Sequence, residues 1–384
     1  MKPVRDIPVL ENIPVMVRAA LNEPVDNGVV RTTFRISRAV ETLKHLADSH
    51  ARVIAVSHID PPGTTEVSTT AATLEPVAKK LGEYLKRVSF CPTSVGPEAR
   101  QAIRNMSPGD ILVLENLRQN AGEVKNDPAF ARDLASQADV FVEDCFDTCH
   151  RVNASIVTVP TLLPSYIGFL AAREVEELTK ARTPKSPSIA VISGAKFSTK
   201  QALLTQLLDA YDHVFVGGAL ANDFIRALGR PVGKSLVSTA DAAQIAAIAQ
   251  HPRLILPQDY LVALPGKTRA AARVATMDDV APEEAILDVG PGTTQTLAGL
   301  IAPAQSILWN GPLGKYEDGF TESTEVLAKC ITASRAHSVI GGGDTIAAIE
   351  KLNLNDRFSF ISTGGGAMLD FLAKGTLPGI EALG

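Results

Sequence analysis

Four cysteines in 384 residues, Cys91, Cys145, Cys149 and Cys330, are too few and too scattered to form a CxxC pair or a disulfide framework. A metal site built on Cys145, Cys149 and His150 lacks a fourth ligand at metal-site spacing, so these thiols read as buried or idle. Positive charge is short as well. Thirty-seven Lys and Arg stand against 42 Asp and Glu, a net charge of −5, which argues against a nucleic-acid partner. The opening M-K-P-V-R-D-I-P-V has no apolar signal region, and no hydrophobic run approaches a membrane span, so a soluble cytoplasmic protein is expected. No G-x-G-x-x-G opens a helix, which removes the fingerprint of a nicotinamide dehydrogenase. The segment from Gly229 to Ser235 is one residue short of a P-loop and follows a helical pattern where a P-loop follows a strand. Repeats at solenoid period and low-complexity tracts are absent too.

What is present is a globular composition, 45% hydrophobic and 21% charged, over a length that suits about two domains. Short β-branched runs at 15–18, 53–57, 111–114, 140–142, 189–192, 214–216, 307–309 and 339–340 alternate with helical periodicity at 37–49, 74–86, 240–249 and 321–333. That alternation predicts βαβ units and parallel sheets with helices on both faces. A helical pattern over 166–181, bracketed by Pro164 and Pro184, reads as a rigid connector between two such arrays. Two α/β domains joined by a helix suit an enzyme that closes on its substrates.

The most informative stretch is Ser193-Gly194-Ala195-Lys196-Phe197-Ser198-Thr199-Lys200, between an apolar strand and the helical pattern 199–210. A glycine turn, a helix start and two lysines make a place to hold phosphate. A plain strand-to-helix turn with solvated lysines would have the same local sequence. Further glycine turns follow strands around Gly217-Gly218, Gly290-Pro291-Gly292, Asn310-Gly311-Pro312, Gly341-Gly342-Gly343-Asp344-Thr345 and Gly364-Gly365-Gly366. Nucleotides bind outside the carboxyl ends of strands in such sheets. Asp344 could cap its helix or hold a magnesium ion. In the first half Arg18, Arg35, His58, Arg118, His150 and Arg151 sit singly near strand ends. They are either solvated charges or converging ligands for phosphate and carboxylate.

In order and over nearly the entire chain these motifs resemble the phosphoglycerate kinase family. The family's V-R-V-D-F-N-V-P resembles Val17-Arg18-Ala19-Ala20-Leu21-Asn22-Glu23-Pro24, and its S-H-L-G-R-P resembles Ser57-His58-Ile59-Asp60-Pro61-Pro62. L-E-N-L-R-F is similar to Leu114-Glu115-Asn116-Leu117-Arg118-Gln119. D-A-F-G-T-A-H-R-A-H resembles Asp144-Cys145-Phe146-Asp147-Thr148-Cys149-His150-Arg151-Val152-Asn153. The family's G-G-A-K-V, W-N-G-P, G-G-G-D and S-T-G-G-G-A are nearly intact.

The resemblance implies an α/β fold of two Rossmann-like domains with parallel sheets joined by an interdomain helix. The expected division is an acceptor domain at 1–164, a connecting helix at 165–182, a Mg-nucleotide domain at 183–372 and a segment at 373–384 returning to the first domain. It implies transfer of the ATP γ-phosphoryl to the carboxylate of 3-phosphoglycerate, with Mg²⁺ and ATP/ADP, in a monomer that binds neither nucleic acid nor membrane. Arg35, Lys196, Lys200 and Gly343 are the implied catalytic group. Arg18, Asn22, Arg35, His58, Arg118, His150 and Arg151 would bind the acceptor. Gly194, Ala195, Lys196, Lys200, Gly217, Gly218, Leu287, Asn310, Pro312, Glu317, Gly342, Gly343, Asp344 and Thr345 would surround the nucleotide, with Asp344 on the metal.

Departures gather in the acceptor half. The family's aspartate is Ala20, its arginine after H-L-G is Pro61, and the second histidine of H-R-A-H is Asn153. Each lost charge-assisted contact is worth about 1.5–3 kcal/mol. The implied transfer residues Lys196, Lys200, Arg35 and Asp344 are all retained. The alternative to glycolytic activity is therefore a specialised kinase acting on a phosphonate or deoxy analogue of 3-phosphoglycerate. A nucleotide-binding pseudoenzyme is a further reading.

Overall fold

A computed structural model describes residues 1–60, 72–194 and 197–384. The chain divides into two compact units, Met1–Glu176 with Thr376–Gly384, and Glu177–Gly375, the break falling inside the Phe169–Arg182 helix.

The first unit is built on a six-stranded sheet, in the order Val88–Cys91, Ile111–Leu114, Arg52–Val56, Pro14–Ala19, Val140–Asp144, Ser165–Ile167. Every pairing is parallel. Parallel strands are covered on both faces, which is why Ile111–Leu114, and Pro14–Ala19 up to Arg18, read as continuous rather than alternating apolar runs. The helical pattern expected to begin at Tyr166 begins at Phe169. Ser165, Tyr166 and Ile167 instead pair with Phe141, Val142 and Glu143 and extend the sheet. The pattern expected over 74–86 is a helix only at Glu75–Leu81, ended at Gly82.

The helix Phe34–Asp48 starts without a side-chain cap from its own N-cap, Thr33. Buried Glu23 supplies it. Its Oε1 accepts the backbone N–H of Arg35 at 2.6 Å and of Ile36 at 3.3 Å, pairing donors that a helix start leaves open. The C-terminal helix Pro378–Glu381 is folded onto the same unit, with Gly379 N donating to the Cys149 carbonyl at 2.9 Å.

The second unit has a six-stranded parallel sheet in the order Leu254–Ile255, His213–Gly217, Ser188–Ser193, Ser306–Asn310, His337–Gly341, Phe360–Ile361. In chain order this is 3-2-1-4-5-6, the order of the dinucleotide-binding fold. A separate antiparallel sheet, Arg273–Thr276, Asp259–Ala263 and Ala285–Val289, is an addition that the strand pattern did not foretell.

Candidate active site

Both large sheets have a point where the first strand in sequence lies between neighbours reached from opposite directions, and loops diverging there leave a crevice at the carboxyl ends. In the first unit the loops that meet there follow Pro14–Ala19, Arg52–Val56, Ile111–Leu114 and Val140–Asp144. They carry Asn22, His58, Arg118 and Arg151, and the structure brings these into one polar cluster with Arg18 and Arg35.

Arg18 lies at the back of the cluster, 1% exposed. Its Nε donates to Ser155 Oγ at 3.0 Å, one terminal nitrogen to Cys145 Sγ at 3.4 Å, and the other to His58 Nδ1 at 3.0 Å. Buried Glu123, which accepts from Ser155 N and Oγ, is among its counter-charges. Burial, then the guanidiniums of Arg18, Arg118 and Arg151, hold the His58 pKa well below its usual value. His58 is therefore neutral, accepts at Nδ1 and carries its proton on Nε2, 3.8 Å from Asp60. Arg18 thus orients His58, with every nitrogen already engaged.

Asp60 organises the front of the cluster. Its Oδ1 accepts from Arg118 Nε at 2.9 Å, and its Oδ2 accepts from both terminal nitrogens of Arg151 at 3.0 Å. Asn116 fixes this arrangement by accepting from the N–H groups of Ile59 and Arg118 and donating to the Ile59 carbonyl. Asn153 accepts from Arg118 at 3.3 Å. On the other side Asp147 accepts from Asn22 Nδ2 and from the Cys145 thiol, and its Oδ2 lies 3.6 Å from Arg35 Nε. His150 is half-buried in the turn after Phe146–Thr148. Ala20, where the resembled motif has aspartate, is fully buried in a small apolar cluster with Cys145 and Leu170. Pro61 lies outside the described residues.

Sequence reasoning missed Asp60 and Asp147. The signal was in the motifs as quoted, because each aspartate stands where the family has glycine. Glu123 and Ser155 carried no such signal.

In the second unit the switch point lies between Ser188–Ser193 and Ser306–Asn310. Lys200 sits just before the helix Gln201–Ala210, 7% exposed, with its Nζ donating to Asn310 Oδ1 at 3.1 Å. It makes no ion pair among the described residues, and burial lowers its pKa from the ordinary 10.5 to about 8. A buried ammonium with no carboxylate beside it is unsatisfied until an anion arrives. Ala195 and Lys196 lie outside the described residues.

The surrounding turns are tied together. Ser193 Oγ donates to the Pro312 carbonyl, the Gly311 N–H donates to Thr345 Oγ1 at 2.9 Å, and Leu220 N donates to the Gly194 carbonyl at 2.6 Å. Gly342, at φ +100, brings its Cα against the Asn310 amide, and Gly343 has open space where a Cβ would be. Gly217 ends its strand, and Gly218 opens the helix Gly218–Ala227. Leu287 is half-buried in Ala285–Val289, and its carbonyl accepts from Lys315 N, which ties it to the exposed Glu317 turn. Asp344 is exposed in the first turn of Gly343–Lys351, whose N-cap is Gly342. It makes no hydrogen bond to a described residue, so the capping reading of Asp344 fails and its carboxylate is available to a hard cation.

Gly218 gives a direct test of the cradle. At φ +60 its Cβ would lie 2.4 Å from Ser193 Oγ and 3.4 Å from Gly194 N. Gly218→Ala should weaken MgADP binding by about tenfold or more, from a strain of ~1–3 kcal/mol at a glycine-only backbone. Calorimetry finding the affinity within twofold of the parent would remove Gly218 from the site.

A nucleotide-fold sheet with a buried lysine that has no carboxylate partner among the described residues, and a second α/β unit with an arginine cluster at its own crevice, define a phosphotransferase of the two-domain α/β class. The phosphoglycerate kinase family model matches residues 4–375. The phosphoglycerate kinases of Moorella thermoacetica and Rhodospirillum centenum are each 40% identical to this chain, over 97% and 96% of both sequences respectively. The solved phosphoglycerate kinase of Coxiella burnetii is similar at a TM-score of 0.85 with 38% identity, covering 99% of this chain and 98% of its own. That of Pyrococcus horikoshii is similar at 0.87 with 30% identity, covering 100% and 98%. The chain belongs to the phosphoglycerate kinase family, whose members are phosphotransferases that use ATP or ADP and act on a carboxyl group. No described helix is long and apolar enough to cross a membrane.

Proposed function

We propose that this chain transfers the γ-phosphoryl group of ATP to the carboxylate of a small acid, forming an acyl phosphate and ADP. The observation that carries this reading is Lys200, a buried ammonium beside the Asn310–Pro312 turn with no carboxylate partner among the described residues. An acceptor carboxylate oxygen attacks the γ-phosphorus, the bond to the β,γ-bridging oxygen breaks, and ADP leaves with that electron pair. No proton transfer is needed, so the protein's task is positioning and charge neutralisation. Lys200 and Lys196 would hold the phosphoryl oxygens, and Arg35 would meet the migrating group from the acceptor side. Asp344 suits Mg²⁺ by its free carboxylate, and the ion, when bound, neutralises phosphate charge. Gly217, Gly218, Leu287, Pro312 and Glu317 would surround the nucleoside. Asn22, Arg118 and Arg151 would address the acceptor. A monomer in the cytoplasm fits this role.

Purified protein incubated with MgATP, 3-phosphoglycerate and hydroxylamine tests it, since an acyl phosphate is trapped as hydroxamate in step with ADP release. Absence of hydroxamate with 3-phosphoglycerate and with a panel of its deoxy, phosphonate and dephosphorylated analogues would overturn the kinase reading. The occupied state of Arg118 and Arg151 favours a second reading within it, a specialised kinase whose acceptor differs from 3-phosphoglycerate.

A further inference from the structure

The acceptor crevice holds its own anions. Arg118 and Arg151 converge on Asp60 through three hydrogen bonds of 2.9–3.0 Å, and Asn22 and Arg35 flank Asp147. Two guanidiniums gripping one carboxylate reproduce the geometry with which arginines take a phosphate. Three guanidiniums at the front of the crevice, those of Arg35, Arg118 and Arg151, face two resident carboxylates, leaving one positive charge. Glu23 draws on Arg35 as well, from 4.0 Å. Among the described residues, the surplus available to a ligand is at most one.

We infer that Asp60 is a specificity determinant that rejects a phosphate or phosphonate dianion, and that the acceptor is a carboxylate monoanion whose remote end bears neutral hydrogen-bonding groups. This rests on the kinase reading of the same site and narrows its substrate class. A trianionic acid would have to displace Asp60 from both arginines or bind against its charge. A monoanion needs only the single surplus charge for its carboxylate, and a hydroxyl or amide at its far end can donate to the outer edge of Asp60, whose side chain is 26% exposed. Asp60 is held in place from behind by Asn116, so withdrawing it would break the Ile59 contacts too.

The test is binding of two acids to the full chain by calorimetry without nucleotide: 3-phosphoglycerate and glycerate, which is the same acid without the phosphate. The parent protein should bind glycerate at least as tightly as 3-phosphoglycerate. Asp60→Asn, near-isosteric but uncharged, and Asp60→Gly should each tighten 3-phosphoglycerate about ten- to a hundredfold, the size of one restored charge-assisted contact, while glycerate, which loses its charged acceptor at Asp60, should gain nothing comparable. In turnover the same variants should lower KM for 3-phosphoglycerate relative to KM for glycerate, a change of preference that a general loosening of the fold would not produce. The inference is overturned if the parent prefers 3-phosphoglycerate by a hundredfold, if the variants leave the preference unchanged, or if neither parent nor variants bind either acid. If neither variant folds, the parent's preference alone decides. Failure of the kinase reading has a different signature, the absence of acyl phosphate with every acid, and leaves these affinities readable.

Discussion

Lys200→Met should reduce ATP-dependent acyl phosphate formation by about a hundred- to a thousandfold, the scale for removing one preorganised group that meets developing charge in a dry site. The same substitution should raise the melting temperature of the nucleotide-free protein. The two effects come from one fact, that Lys200 is 7% exposed and has no carboxylate partner among the described residues. Folding moves its pKa from 10.5 down to about 8 through desolvation. Between those values the unfolded chain binds more protons than the folded one, so stability rises as pH climbs from about 8 to 10.5. Below about 8 the penalty for the buried charge is fully present. A shift of this size corresponds to on the order of 3 kcal/mol, reduced in the variant by the loss of the Asn310 hydrogen bond. A gain of a few degrees at pH 7, shrinking as pH approaches 10, is the expected melting record. Activity should move the opposite way. Only the ammonium form holds phosphate, so kcat/KM for ATP should fall above about pH 8, the pKa of the free protein. Lys200→Arg stays charged and should lose that alkaline limb whatever its rate. A Lys200→Met protein with kcat within tenfold of the parent, or one that melts lower at pH 7, would count against this assignment.

The parallel strands were legible in sequence because a strand covered on both faces must be apolar throughout. The expected runs at 111–114, 189–192 and 307–309 lie within Ile111–Leu114, Ser188–Ser193 and Ser306–Asn310. Short edge strands such as Phe360–Ile361 and Leu254–Ile255, and the antiparallel trio around Asp259–Ala263, were not legible. Two apolar residues carry no periodicity, and Arg273–Thr276 is a mostly exposed strand whose pairing depends on a partner rather than on its own composition. The connector helix was read three residues too early because Tyr166 and Ile167 suit either state, and pairing with Val142 and Glu143 decides between them. In the candidate site, the glycine turns and Lys200 are legible because they lie next to strand ends and helix starts that are themselves legible. The carboxylates of Asp60 and Asp147 were visible as letters but not as partners. Asp60 meets Arg118 and Arg151 across 58 and 91 residues, a convergence that only the strand order creates. Reading the departures as losses, of an aspartate at Ala20 and an arginine at Pro61, hid that the same motifs had also gained charge.

Arg35→Ala should lower kcat by about a thousandfold or more while leaving KM for ATP within twofold, the scale of an arginine that meets the migrating phosphoryl group. Among the arginines of the cluster, Arg35 is the one least held by its neighbours. Arg18, Arg118 and Arg151 spend their guanidiniums on hydrogen bonds of 2.9–3.4 Å. Among the described residues Arg35 has only charge contacts, of 3.6 Å to Asp147 and 4.0 Å to Glu23, its Nε is buried without a hydrogen-bond acceptor there, and its side chain is 31% exposed. A guanidinium in that state can reorient toward a new anion without breaking a bond that holds the fold. The substitution should also be nearly silent in stability, because Glu23 caps the Phe34–Asp48 helix through the backbone N–H groups of residues 35 and 36, which alanine retains. Arg35→Lys should recover only part of the rate, since an ammonium cannot span two phosphoryl oxygens as a planar guanidinium does. Arg118→Ala supplies the contrast: it removes a buried group already paired with Asp60, so it should lower the melting temperature and raise the acceptor KM. Steady-state kinetics and thermal melts of the three variants separate these roles. A kcat within tenfold of the parent for Arg35→Ala, or a loss of rate matched by a comparable loss of stability, would make Arg35 a structural residue and leave the migrating charge to the lysines.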